Sequence, residues 1–499
     1  MQRKRFLQYL SAGSMGVLLM PSLARSSFSG KRISGAQRIR LKLFQDNSLE
    51  VPAGKRAPFG WPVAGISPGE SVFVKPEDKL PEANLWIRVS TAQEIRDEKL
   101  LHVAIPGTET YLGAIDIRYS AVLVPYELEI PKKHSLHINQ HGLELKLESP
   151  SPLWIFNEAD SKTDNSAFLP HIMASSEKRG TIDDLLKCLT SVNSIQSLAW
   201  REGCVLDGLW QLYAQKCNAK ALETIRQHFG LFFDDRQNLI YETARSIPHD
   251  NQLDGIESTL PYATLARIDA NHPILKTVVA AWDEYTKPDG LVIDGKMISA
   301  EGCYTVAYPM AVIGKAWEDD RLKRKALEQL KHRFVLIADG QINLRSTEGK
   351  YTFTNWARGA AWFLLGFVRT ISELKDDIQD EEVIRKFQEA TEIALSMQRE
   401  DGLWGCFMHR PESLPDTSGS AGIAAAIMTG IHEGFLPAEY AENAKKCFEG
   451  LTNFITPDGY LKGAAQDNRG GMKLQESDYR VIAQMGAGLM AQLYAALEN

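Results

Sequence analysis

Glu400-Asp401-Gly402-Leu403-Trp404 separates two helical stretches of opposite character. Residues 380–399 before it are charged and amphipathic, whereas residues 417–433 after it carry Ser418, Gly419, Ser420, Ala421, Gly422, Ala424, Ala425 and Ala426. An Asp-Gly pair supplies the left-handed residue that stops a helix and reverses the chain. The same punctuation recurs at Asp235-Arg236-Gln237-Asn238-Leu239, Pro288-Asp289-Gly290-Leu291, Ala338-Asp339-Gly340-Gln341 and Pro457-Asp458-Gly459-Tyr460. Successive turns lie on the order of 50–60 residues apart, the size of one helical hairpin with its loops. The apolar period predicts helices near 181–192, 199–216, 218–233, 252–269, 272–287, 299–317, 319–337, 355–374, 380–399, 417–433, 437–455 and 478–497. Charged amphipathic helices suit an outer ring, and helices rich in small residues suit a closely packed inner one. Six such hairpins predict a closed double ring of helices.

Working back from Thr181, the texture changes. Ile39-Arg40-Leu41-Lys42-Leu43, Leu85-Trp86-Ile87-Arg88-Val89 and Leu143-Glu144-Leu145-Lys146-Leu147 have strand-like character. Turn residues separate them, as in Pro58-Phe59-Gly60-Trp61-Pro62 and Ser67-Pro68-Gly69. Period-two runs punctuated in this way predict a β-sandwich. Asp160 to Ser175 reads as a polar connector. At the start, Arg3-Lys4-Arg5-Phe6-Leu7-Gln8, the apolar run Gly16-Val17-Leu18-Leu19-Met20 and Ser22-Leu23-Ala24 form a signal peptide resembling the twin-arginine type. The chain is therefore expected to be α+β and multidomain. Residues 1–25 are the signal, 26–175 an accessory β-sandwich and 176–499 a helical catalytic barrel.

Composition narrows the function. The 499 residues are 44% hydrophobic and 24% charged, with a formal charge of −7, ordinary for a soluble globular protein and no basis for a nucleic-acid partner. Beyond the signal, no run approaches the ~20 apolar residues of a membrane span, and no Cys beside the cleavage site offers a lipid anchor. A periplasmic or secreted protein is expected. Cys188, Cys204, Cys217, Cys303, Cys406 and Cys447 are scattered singly, without zinc spacing, and read as buried free thiols. No metal or cofactor is expected, and the sequence leaves the oligomeric state open.

Asn355-Trp356-Ala357-Arg358-Gly359-Ala360-Ala361-Trp362 carries the chemistry. At ~100° per residue Arg358, Gly359, Trp362 and Gly366 share a helix face. A guanidinium there can hold a uronate carboxylate, and an indole can stack on a sugar ring. The segment resembles the Trp-Ala-Arg-Gly-x-x-Trp motif of glycoside hydrolase families 88 and 105, the unsaturated glucuronyl and rhamnogalacturonyl hydrolases. Trp200-Arg201-Glu202-Gly203 is similar to their second helix. Leu403-Trp404, His409-Arg410-Pro411 and Asp416-Thr417-Ser418-Gly419-Ser420-Ala421 resemble the run before their tenth. The resemblance implies an (α/α)6 barrel and an oligosaccharide substrate. It implies substrate-binding roles for Trp200, Trp356, Arg358, Trp362, Trp404 and His409.

The resemblance also implies paired acids on the fourth and sixth helices. Leu253-Asp254 matches the family's Ile-Asp, and Glu301-Gly302-Cys303-Tyr304 stands where the family shows Asp-Gly-Leu-Tyr, with Pro309 displaced by one residue. Glu301 is the candidate proton donor and Asp254 its partner. Asp254 and Glu257, expected on one helix face, are alternatively two acids of a conventional glycosidase, and Glu257 is otherwise a rim charge. The family's His before the Trp-Ala-Arg motif is missing from Gly340-Gln341-Ile342-Asn343-Leu344-Arg345. The expected reaction releases a terminal, unsaturated uronic acid. A polysaccharide lyase recruiting Tyr304, Tyr308 and His409, a sugar epimerase, an exo-glucuronidase and a binding scaffold are the other readings.

Overall fold

The computed structural model describes residues 35–44 and 49–497, so the predicted signal peptide lies outside the described residues. The N-terminal part is mostly sheet. Its strands are β1 (Gln37–Phe44), β2 (Val63–Ile66), β3 (Ser71–Pro76), β4 (Asn84–Ser90), β5 (Glu98–Ala104), β6 (Tyr111–Arg118), β7 (Pro125–Ile130), β8 (Leu143–Glu148), β9 (Leu153–Phe156) and β10 (His171–Ser175), with one short helix, α1 (Ser135–His141). Eight strands run antiparallel in the order β6-β5-β8-β3-β1-β10-β4-β7, and β2 pairs with β9. β1 serves both halves, since Gln37–Arg40 pair with β10 and Leu41–Phe44 with β3. The outermost strands β6 and β7 lie against each other, so the sheet wraps around its core. In β8 the period-two prediction holds residue by residue, with Leu143, Leu145 and Leu147 buried. The polar-connector expectation fails for residues 171–175. They form β10, buried throughout and hydrogen-bonded between β1 and β4, because the apolar Ile172, Met173 and Ala174 between the polar ends pack into the core.

The rest is helical, and the expected hairpins are present. The helices are α2 (Ile182–Leu189), α3 (Trp200–Lys216), α4 (Ala219–Phe232), α5 (Pro261–Ile268), α6 (Ile274–Glu284), α7 (Tyr308–Ala316), α8 (Asp320–His332), α9 (Ala357–Leu374), α10 (Glu381–Leu395), α11 (Thr417–His432), α12 (Ala441–Thr452), α13 (Gly471–Glu476) and α14 (Gln484–Leu497). Helices α3, α5, α7, α9, α11 and α14 each touch the next, and α14 returns to α3, which closes the ring. Outside it α4, α6, α8, α10, α12 and α2 pack on their inner partners. Small residues make the ring tight. A Cβ on Gly208 would stand 2.3 Å from the Gly488 carbonyl, and one on Gly366 would stand 2.2 Å from the Cys303 backbone.

Three expected helices begin differently. α5 starts at Pro261, which lacks the donor an interior helical position needs, and is preceded by a 3-10 turn at Ile256–Thr259. α14 starts at Gln484, after a hairpin of Arg480–Val481 with Ala464–Ala465. Cys303–Ala307 form a π turn ahead of α7, and such a turn absorbs one extra residue, which matches the displacement of Pro309. The six cysteines are free, and all but Cys217 are buried.

Candidate active site

The N-terminal ends of the inner helices surround a small cavity lined by Trp200, Glu257, Glu301, Trp356, Arg358, Trp362, Asp467, Asn468 and Arg469. Glu301 is helical and lies two residues before the start of the π turn. Ser299 Oγ donates to its Oε2 at 2.6 Å, its own amide donates to Ser299 Oγ at 3.0 Å, and Arg345 Nη2 lies 3.4 Å from Oε1. Arg345 comes from the strand Gln341–Thr347, which pairs with Ile298–Ser299. The segment without the family's His thus brings a guanidinium to the acid.

The carboxyl beside Glu301 is Glu257. Both carboxyls line the same cavity, and the Glu301 charge, and then burial, push the Glu257 carboxyl well above the usual carboxylate range. Like charges in one cavity oppose each other's ionisation, which favours the protonated form of Glu257. Asp254 is not brought there. Gly255 takes φ 75, a conformation L side chains rarely adopt, and turns the chain between the two acids. Asp254 is left exposed, 3.3 Å from the Ala244 amide. Asp254 and Glu257 do not share a helix face, because the expected helix starts only at Pro261.

The aromatic wall assembles as expected. Trp200 meets Trp362 edge-on at 5.5 Å, and Trp362 stacks on Tyr304 at 5.9 Å. Trp356 caps the N-terminus of α9 and donates through Nε1 to Gln475 at 3.2 Å. Arg358 lies over the Trp356 ring at 4.5 Å and is 1% exposed. Its Nη1 donates to Ser418 Oγ at 3.3 Å and to the Ala465 carbonyl at 2.6 Å, and its Nη2 to the Gln466 carbonyl at 2.6 Å. Rather than presenting a free fork, Arg358 anchors the segment that carries Asp467.

Asp467 sits among three guanidiniums. Arg201, itself over the Trp200 ring at 4.3 Å, is ion-paired with it, and Arg469 Nη2 lies 3.3 Å away. Burial opposes ionisation of Asp467, but Arg201, Arg469 and Arg358 outweigh it and hold its carboxyl below its ordinary range. This end of the cavity carries an excess of positive charge. The sheet part braces it from behind. Gln466 Nε2 donates to the Arg118 carbonyl at 2.7 Å and to Tyr126 at 3.0 Å, and Arg469 Nη1 lies 3.7 Å from Glu94.

Trp404 and His409 are elsewhere. Trp404 is fully buried and donates to the Ala394 carbonyl at 2.7 Å, a core role. His409 is exposed and is not among the lining residues. Sequence reasoning assigned no role to Arg201, Arg345, Asp467, Asn468 or Arg469, and paired Glu257 with Asp254 or left it a rim charge rather than placing it beside Glu301. The one available signal for residues 467–469 was the long connection between predicted helices 437–455 and 478–497, since long connections are uncommon unless functional.

The family model described as Glycosyl Hydrolase Family 88 matches residues 171–498. No curated protein sequence matches the chain. Among solved structures it is similar to a glycoside hydrolase from family 105 of C. acetobutylicum ATCC 824 (TM-score 0.52, 18% identity, 64% of this chain and 98% of that one). A glycosyl hydrolase family 88 protein from Bacteroides vulgatus has TM-score 0.50 and 17% identity over 64% of this chain and 99% of that one. A polysaccharide lyase has TM-score 0.51 and 18% identity over 64% and 95%. At such identities the likenesses speak to fold, and a fold hosts more than one reaction. The family match spans most of the chain, the motif around Trp356 and the whole ring of helices: the chain belongs to glycosyl hydrolase family 88 and is a glycosidase.

Proposed function

We propose that this (α/α)6 barrel, with its β-sandwich domain (residues 26–175), hydrolyses oligosaccharides that end in an unsaturated uronic acid. The observation that carries the proposal is the Glu257–Glu301 pair, two carboxyls lining one cavity walled by indoles and guanidiniums, with the Glu257 carboxyl raised by the Glu301 charge. A C4=C5 double bond beside the ring oxygen is a vinyl ether. The pair's proton goes to C4, and the ring oxygen stabilises the cation formed at C5. Water adds at C5, and the pair recovers a proton from it. The hemiketal opens to a C5 ketone, which frees C1 as a hemiacetal that expels the neighbouring sugar. Arg201 and Arg469 supply the positive field for the uronate carboxylate, and Trp200 and Trp362 supply apolar ring faces.

The spacing of the acids favours this chemistry over a conventional glycosidase acting on intact uronides. That reaction needs carboxyls about 5–9.5 Å apart across the scissile bond, with room for the sugar between them, whereas Glu257 and Glu301 share one cavity of about 60 Å³ and Glu301 is the largest influence on Glu257. The lyase alternative fares less well, because Tyr304 and Tyr308 both donate to Asp207, at 2.5 and 3.1 Å, and His409 is remote. Turnover in deuterium oxide tests the proposal: deuterium at C4 of the product is expected, with loss of double-bond absorbance. Hydrolysis confined to saturated uronides sinks it. The Arg3-Lys4-Arg5 segment supports export to the periplasm. Fractionation of tagged cells checks that, and unprocessed protein found solely in the cytoplasm refutes it.

A further inference from the structure

The opposite end of the ring holds a second cavity, of about 200 Å³ against about 60 Å³ for the cavity at Glu301. Trp210 on α3 and Arg369 and Glu373 on α9 line it, ten or more residues down their helices from the acids' end, with Arg267 from the last turn of α5, ten residues after Glu257. At 1.5 Å per residue this is a separation of roughly 15 Å or more. It lies outside the chemistry of Glu257 and Glu301.

Its polar groups are incompletely satisfied. Arg369 is nine-tenths buried, with its side chain 8% exposed. Its Nη2 donates to Gln492 at 2.7 Å, but its Nε has no hydrogen-bond partner and lies 3.7 Å from Asp207. Arg267 gives Nη2 to Glu373 at 2.5 Å, and its Nε is likewise unpartnered, as is Ser372 Oγ. The nearby carboxylates are already occupied. Asp207 takes both tyrosine hydroxyls, Glu373 is met by Arg267 and Lys315, and Glu433 by Lys375 at 2.6 Å. A buried donor without an acceptor keeps its desolvation cost uncompensated, which a bound acceptor relieves.

We infer that this basal cavity is a binding site for a small carboxylate on a hydroxylated frame, an acidic monosaccharide. The two guanidiniums take the carboxylate. Gln215, whose Nε2 donates to Gln211 at 2.9 Å, and Ser372 face the hydroxyls, and Trp210 forms the apolar wall. The volume lies below the ~300 Å³ at which drug-sized pockets begin, so one sugar ring is the limit.

Titration of the full chain with D-glucuronate, followed by calorimetry, tests the assignment. A saturable event is expected that survives Arg469→Ala and weakens at least tenfold in Arg369→Gln and in Arg267→Gln, with kcat/KM for the glycosidase reaction unchanged within twofold. Ser372→Phe, which plugs the cavity without removing either guanidinium, gives the same loss and decides the matter if an arginine variant does not fold. D-glucose or inorganic sulfate binding as tightly as glucuronate overturns the inference. So does an event abolished by Arg469→Ala alone, or one indifferent to all three basal variants. Failure of the proposed vinyl-ether chemistry leaves each of these outcomes readable.

Discussion

At the residue scale the site rests on one shared proton. Glu301→Gln and Glu257→Gln are each expected to lower kcat about 10²–10⁴-fold while leaving substrate affinity within a few-fold. The pH dependence has a definite sign. Glu257 must be protonated to donate, so activity falls as pH rises through its raised pKa, and the main cause of that elevation is the Glu301 charge. Replacing Glu301 by Gln removes the charge, so the residual activity loses its alkaline limb at lower pH than in the wild type. A pH–rate profile of the two proteins checks it; an unmoved limb refutes the coupling. The arginines separate by a different measurement. Arg469→Ala is expected to raise KM for a uronide by about 1.5–3 kcal/mol equivalent, the worth of a charged hydrogen bond, with little effect on thermal stability. Arg358→Ala is expected to lower the melting temperature as well, because the Ala465 and Gln466 carbonyls lose their buried donors.

At the element scale, two glycines decide where side chains go. Gly255 makes the turn that sends Asp254 outward and Glu257 inward, and a Cβ there would stand 2.5 Å from Asp294 Oδ2. Gly255→Ala is therefore expected to cost about 1–3 kcal/mol of stability and to impair turnover more than substrate binding, since it displaces the acid. Gly366 lets α9 pack on the π turn at Cys303–Ala307. Gly366→Ala overpacks that contact by at least about 1–3 kcal/mol, readable as a fall in the urea midpoint. Gly340→Ala, at a comparable positive φ with nothing within 4 Å, separates the strain of the backbone from the crowding of the core.

At the scale of the whole molecule, the sheet part and the helical ring share one buried ion cluster. Asp458, in the turn after α12, accepts from Arg88 at 2.7 Å and Arg38 at 3.2 Å, while Arg88 also reaches Glu127 at 2.6 Å. Burial disfavours the Asp458 charge, but Arg88 and Arg38 hold its carboxyl far below the usual range. Its stabilisation is present above the unfolded value of about 3.9 and is lost as pH falls below it. Asp458→Asn leaves the buried Arg88 and the half-buried Arg38 short of a charge and is expected to cost about 3–5 kcal/mol. His171 sits beside the cluster, and burial, with Arg88 and Arg38, brings it down to about 3. The unfolded chain takes up this proton below about 6.5, which the folded chain refuses until about 3. Stability is therefore expected to decline as pH falls through that window, and His171→Asn to flatten the decline in urea midpoints measured between pH 7 and 4.

The ring of helices was legible because its pattern is local. Each Asp-Gly turn closes its own hairpin, and the contrast between charged 380–399 and small-residue 417–433 follows from which face each helix buries. The aromatic wall was legible for the same reason: Trp356, Arg358 and Trp362 hold fixed places along one helix. The catalytic pairing was not. Asp254 and Glu257 are three residues apart, and only the φ of Gly255 and the late start of α5 at Pro261 separate their directions. Arg345 and Arg469 reach the cavity from a strand and a loop far along the chain, held there by Ser299, Glu94 and Gln466. Local periodicity sets which residues form helices and strands. Which carboxyl meets Glu301, and which guanidiniums face it, depends on long-range packing, and no spacing in the sequence encodes that distance.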